Sequence, residues 1–197
     1  MTSLPSILVA LLISLLATVS QSSIAFFGIY FKLLSFIYMP ANGLIQGMRP
    51  LISYNYGARH FDRVKKIIKV SIISTAVILC CGTIIFMGLP ELVLSWFNAT
   101  EQLLEIGIIG LRVISPCFIL STMGVVISGV FESLGKGRQS LTISLLRQFI
   151  ITLPLAYILL KVIGLNGIWL SFVIAEGIAS VIAVILIKKE LHNFKVD

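Results

Sequence analysis

Apolar runs long enough to cross a hydrocarbon core of ~30 Å as helix, about 20 residues each, recur along this chain with few charges inside them. Cut with that ruler, the sequence yields spans near residues 4–20, 24–53, 69–89, 103–132, 142–161 and 165–187. Within lipid every backbone N–H and C=O needs an internal partner, and no barrel-type alternation is present, so the spans are expected to be helical. The expected fold is therefore an all-α integral membrane protein, with residues 1–197 forming a single bundle of six transmembrane helices. Composition agrees: 58% of residues are hydrophobic and 12% charged, with a mean hydropathy of +1.07, far from the range of a soluble domain.

The net charge of +7 does not point to nucleic acid, because the basic residues lie between apolar segments instead of gathering on one exposed face. Their placement follows the rule that short cytoplasmic loops collect Lys and Arg. Arg59, Arg63, Lys65, Lys66 and Lys69 follow the second span, Lys136, Arg138 and Arg147 follow the fourth, and Lys188, Lys189 and Lys195 follow the sixth. The connection after the third span carries Glu91, Glu101 and Glu105 and no basic residue, while the one after the fifth has only Lys161, placed to snorkel to the outer surface. A multi-pass protein of the plasma membrane with both termini in the cytoplasm is the expectation. The first basic residue is Lys32, which argues against a secretory signal, and the first span looks like the end of a longer helix.

The second span carries the most chemistry. Lys32, Ser35, Tyr38, Asn42, Gln46, Arg49 and Ser53 are spaced by steps of three and four, so they share one helical face. Such a face in lipid is costly and must look at protein or at a water-filled cavity. Tyr38, Asn42, Gln46 and Arg49 are the candidate cavity residues, against the alternative that they only bridge helices. Pro40 and Pro50 each remove a backbone donor, and Pro116 does so in the fourth span, so these are candidate kinks or hinges. Gly43 and Gly47 form a small-residue pair suited to close helix packing.

Glu176 falls near the middle of the last span with no other charge nearby. It is a candidate for proton or cation handling, the alternative being a structural pair with Lys32 or Arg112. Glu132 and Arg147 flank the "SLGKGRQS" turn and are expected to pair with each other. Cys80, Cys81 and Cys117 show neither disulfide nor metal-ligand spacing, His60 reads as a surface residue, and no catalytic constellation or complete phosphate loop is present, so no enzyme and no metal is expected.

The stretches "FGIYFKLLSFIYMPANGLIQGMRPLISYNYGARHFDRVKK", "GVFESLGKGRQSLTISLLRQFIITLPLAYIL" and "GLNGIWLSFVIAE" resemble the carboxyl-terminal half of multidrug and toxic compound extrusion (MATE) antiporters. The resemblance implies one of two six-helix lobes around a central cavity, and export of small organic, often cationic compounds in exchange for protons or sodium ions, with no other cofactor. It implies that Tyr38, Asn42 and Gln46 line the cavity and that Glu176 occupies an acidic position of the last helix. It also implies a partner: a second six-helix lobe, either an amino-terminal half or another copy. Glu132 stands where the family more usually has Gln. Two other readings stay open, a flippase for lipid-linked compounds or polysaccharides from the same superfamily, and a membrane protein without transport activity, such as a remnant or an assembly subunit.

Overall fold

The computed structural model describes residues 4–97 and 100–193, which puts Lys195 and positions 98 and 99 of the acidic connection outside the described residues. Every regular element among the described residues is helical, in the order α1 (Leu4–Leu16), α2 (Gln21–Gly57), α3 (Phe61–Gly88), α4 (Pro90–Ser95), α5 (Glu101–Ile114), α6 (Pro116–Ser133), α7 (Gly137–Leu145), a π turn (Leu146–Ile150), α8 (Thr152–Ile163) and α9 (Leu165–Asn193).

Among the described residues, five stretches have the length and hydropathy of membrane spans: α2, α3, α6, the combined 137–163 segment and α9. Two expectations need correcting on this point. The first helix has only 13 residues, about 20 Å at 1.5 Å per residue, too short to cross a bilayer by itself. The fourth span, expected as one helix over 103–132, is two: α5 ends at Ile114 and α6 begins at Pro116. Pro116 has no N–H to continue the ladder and fits the first turn of a new helix, while Ser115 Oγ donates to Leu111 O at 2.5 Å. Pro40 and Pro50 lie inside α2, whose helical assignment is unbroken over 37 residues. At about 55 Å that helix is longer than the bilayer is thick, so one end stands clear of it.

Local signals fix the ends. Ser20 in "SQSS" caps α2, its hydroxyl accepting from the Ser23 N–H at 3.1 Å. Gly135 and Gly164 take φ of +72° and +74° in the turns after α6 and α8, a region that costs little without a Cβ. Three residues on, Gly167 permits a close backbone approach: a Cβ there would lie 2.2 Å from the Leu159 carbonyl oxygen, so α9 folds back on α8 only with Gly at this position.

α6 is the most enclosed of the long helices and contacts α2, α3, α7 and α9; α9 in turn lies between α6 and α8. The core has two parts. In one, Phe26, Phe27, Tyr30, Phe118 and Trp169 pack together, with Phe26 and Trp169 edge to face at 4.9 Å. In the other, Ile45, Met48, Ile52 and Val64 of α2 and α3 meet Ile127, Phe131, Ala183 and Ile187 of α6 and α9. Leu33 and Ala41 on α2 belong to the first part and Ile45 to the second. The polar residues of the same helix lie beside this division: Tyr38 packs against the first part, while Asn42 and Gln46 are exposed.

Candidate functional site

A cavity of about 570 Å³ opens on this polar face. α2 contributes Ser35, Tyr38, Asn42 and Gln46, and the opposite wall is made by Arg147, Gln148 and Thr152 with Phe172 and Glu176 of α9. Asn42 and Gln46 are exposed and have no side-chain hydrogen bond among the described residues, whereas Tyr38 is half-buried. The Tyr38 hydroxyl lies 2.5 Å from Ser121 Oγ, and Ser121 donates to Phe118 O, so Tyr38 donates to Ser121. Its ring is held edge-on by Phe118 at 6.1 Å. Tyr38 is thus fixed to α6, while Asn42 and Gln46 keep free donors and acceptors pointed at the cavity.

Arg147 owes its position to the π turn. Pro154 lacks the N–H that would bond the Ile150 carbonyl, and the chain responds with a wider turn in which Ile151 N bonds Leu146 O at 3.1 Å. The Thr152 hydroxyl donates to the Arg147 carbonyl across the same widened turn. The wider turn puts the consecutive residues Arg147 and Gln148 on the same cavity wall.

Arg147 Nε lies 3.2 Å from Glu176 Oε1, with side chains 22% and 12% exposed. Glu176 Oε2 is buried without a hydrogen-bond partner among the described residues. An ion pair with one unsatisfied carboxylate oxygen therefore borders the cavity, and that oxygen is open to accept a hydrogen bond from, or to coordinate, a group other than the described residues.

Two expected pairings are corrected here. Glu176 meets neither Lys32 nor Arg112; its partner is Arg147. Nor does Glu132 meet Arg147: its carboxylate lies 2.6 Å from Arg49 Nη2 and accepts from Ser140 Oγ at 3.0 Å. Distance along the helices explains this. Glu132 sits immediately before the turn, and Ser140 is the residue at matching height on α7. Arg147 lies seven residues beyond Ser140, about 10 Å deeper. Arg49 lies off the larger cavity, lining a smaller one of about 110 Å³ with Ser128, Glu132 and Ser144. Asn42 and Arg147 border both cavities. Lys32 lines neither, and Ser53 donates to Ser133 O at 2.8 Å, tying the end of α2 to the end of α6. Lys136 and Glu190, 2.5 Å apart, tie the α6–α7 turn to α9.

The sequence did not reveal Gln148, Thr152 or the Arg147–Glu176 pair as parts of one site. Pro154 inside an expected span was the available signal, since a mid-span proline marks a place where the helix ladder must rearrange.

A bundle of apolar helices with polar residues and an ion pair bordering a cavity is the architecture of one lobe of an α-helical membrane transporter. Solved structures give the same fold. The chain superimposes with a TM-score of 0.91 on an outward-facing multidrug resistance MATE family transporter of the MOP superfamily, at 20% identity, covering 98% of this chain and 44% of that one. A MOP superfamily transporter from Pyrococcus furiosus gives a TM-score of 0.90 at 21% identity, over 96% of this chain and 43% of that one. The MatE family matches residues 1–158, and the chain belongs to that family. Among curated relatives, the multidrug export protein MepA of Staphylococcus haemolyticus is 31% identical over 183 residues, and MepA of Staphylococcus aureus (strain MSSA476) is 29% identical over 182. Both alignments cover 92% of this chain and 40% of the relative, so the chain spans less than half the length of the curated relatives it matches.

Proposed function

We propose that residues 1–197 form the carboxyl-terminal lobe of a cation-coupled multidrug efflux transporter, with small organic, mainly cationic compounds as substrates and a proton or sodium ion as the coupling ion. The observation that carries this reading is the 570 Å³ cavity with Asn42 and Gln46 on one wall and the Arg147–Glu176 pair on the other. Tyr38 supplies an aromatic face suited to organic cations, and the two amides supply hydrogen bonds that adapt to different substrates. Glu176 is the ion-coupling residue: a proton or sodium ion arriving at Oε2 weakens the hold on Arg147, so ion binding and the arrangement of this wall are linked. Such linkage drives transport only if the ion binds the two arrangements of the transporter with different affinity. Pro40, Pro50 and Pro116 are the hinge candidates. Arg49 acts beside this cavity, through its pair with Glu132.

Efflux of a fluorescent cation by cells supplying this lobe together with an amino-terminal lobe tests the reading. Asn42→Leu combined with Gln46→Leu is expected to lower the efflux rate about tenfold, the order of two lost hydrogen bonds, at near-normal abundance in the membrane. Unchanged efflux of every dye tried would remove the cavity assignment.

The proposal places the segments around Arg63 and Lys136 on the cytoplasmic side and α4 outside. With Cys80, Cys81 and Cys117 replaced, a single cysteine at Asp62 should resist a membrane-impermeant thiol reagent in intact cells, and one at Glu91 should react. Labelling at Asp62 would invert the topology.

A further inference from the structure

A second groove, about 710 Å³, runs between α2 and α3 and shares Gly43 with the cavity on the polar face. Gly43, Gly47 and Leu51 form one wall and Val70 the other, and Arg63 and Lys66 stand at one end. A Cβ at Gly43 or Gly47 would meet nothing within 4 Å, so these glycines leave an open notch in the wall. Neither Arg63 nor Lys66 has an ion-pair partner among the described residues, although Lys65, on another face of the same helix, pairs with Asp62.

The exposed face of α3 changes character along its length. Arg63 and Lys66 are exposed, and the face continues as Val70 (54% exposed), Val77 (58%) and Ile84 (65%). From Lys66 to Ile84 is about 27 Å of helix, close to the thickness of the hydrocarbon core. The two cations therefore sit at headgroup level and the groove descends from them into the acyl region. A second transporter helix lying in this groove would have to leave both cations facing an apolar surface or bring its own carboxylates. A lipid brings its phosphate and its chain in the required order.

We infer that this groove is a binding site for one anionic phospholipid, its phosphate held by Arg63 and Lys66 and an acyl chain laid over Gly43 and Gly47. The site lies apart from the Arg147–Glu176 wall, so the inference does not depend on the transport reading.

Native mass spectrometry of the purified full chain, titrated with phosphatidylglycerol or with phosphatidylcholine of the same acyl chains, tests it. The wild type should retain one phosphatidylglycerol in preference to phosphatidylcholine. Arg63→Gln with Lys66→Gln should weaken phosphatidylglycerol retention about tenfold, the order expected of two basic residues near an anionic headgroup, and leave phosphatidylcholine retention as it was. Gly47→Leu, whose Cβ enters open space, should weaken retention of both, while Arg112→Gln, outside the groove, should change neither. Equal losses in the Arg112 and Arg63/Lys66 variants would mean only bulk charge attraction and would overturn the site. So would a Gly47→Leu variant that holds lipid normally, or displacement of the lipid when a second lobe is supplied, which would give the groove to a helix.

Discussion

Arg147→Leu is expected to destabilise the purified chain by about 2–4 kcal/mol, more than Glu176→Gln, and a variant carrying both Arg147→Leu and Glu176→Leu should recover most of that loss. The asymmetry follows from what each change leaves behind. Removing Arg147 strands a carboxylate that is 12% exposed and already has one oxygen without a partner. Breaking a buried pair from one side costs several kcal/mol, because the remaining charge is desolvated and uncompensated. The open cavity beside the pair lets water soften the penalty, which places the estimate at the lower end of that range. Glu176→Gln keeps a carbonyl oxygen able to accept from Arg147 Nε and leaves a cation whose long stem can reach the cavity. Replacing both with Leu removes the charges together, and such exchanges are often close to neutral. Denaturation midpoints of the four proteins in one detergent form a double-mutant cycle. Additive losses, with the double variant the least stable of the set, would show that the two side chains do not act as a pair.

How much of this site was legible in the sequence differs from residue to residue. The stripe on α2 was readable because a helix imposes its own period: Tyr38, Asn42 and Gln46 share a face whatever packs around them, and all three do line one cavity. The split of the fourth span at Pro116 was half legible. Proline announces a break in the ladder, but whether the chain kinks or starts a fresh helix depends on how the flanking turns pack. The ion pairs were not legible. Glu105, Glu132, Glu176 and Glu190 on the acidic side, and Lys32, Arg49, Arg112, Lys136, Arg147 and Lys161 on the basic side, lie in or near the spans, and local symmetry about a turn suggested Glu132 with Arg147. The helices settle the matter differently, since Ser140 stands at the height of Glu132 while α9 brings Glu176 beside Arg147. Depth in a bundle is a tertiary property, and a π turn shifts it further by changing the residue count per turn.

The same face of α2 underlies the second large effect: this chain reconstituted alone is expected to give no measurable substrate efflux, and adding a second six-helix lobe is expected to restore it. The exposed side of α2 mixes Asn42 and Gln46 with Phe36 (70% exposed), Met39 (68%) and Tyr54 (76%). Polar groups at membrane depth have to face protein or water, and the single bundle covers only one side of the cavity they line. Alternating access in transporters built from paired bundles comes from one bundle rocking against another around a site between them. One bundle supplies one wall, so it has nothing to rock against and no way to expose the site to each side in turn. The second lobe can be an amino-terminal half or another copy of this chain related by a two-fold axis, which would present α2 to α2. The pairing of unlike halves is the one proposed above. Mass in detergent and efflux from vesicles, measured on the same preparation with and without a co-expressed amino-terminal lobe, separate these outcomes. Efflux that appears only with the added lobe supports the pairing of unlike halves; efflux from a dimer of this chain assigns the second wall to its own copy. A strictly monomeric species that pumps unaided would mean that one bundle closes its own cavity, and the requirement for a partner would fall.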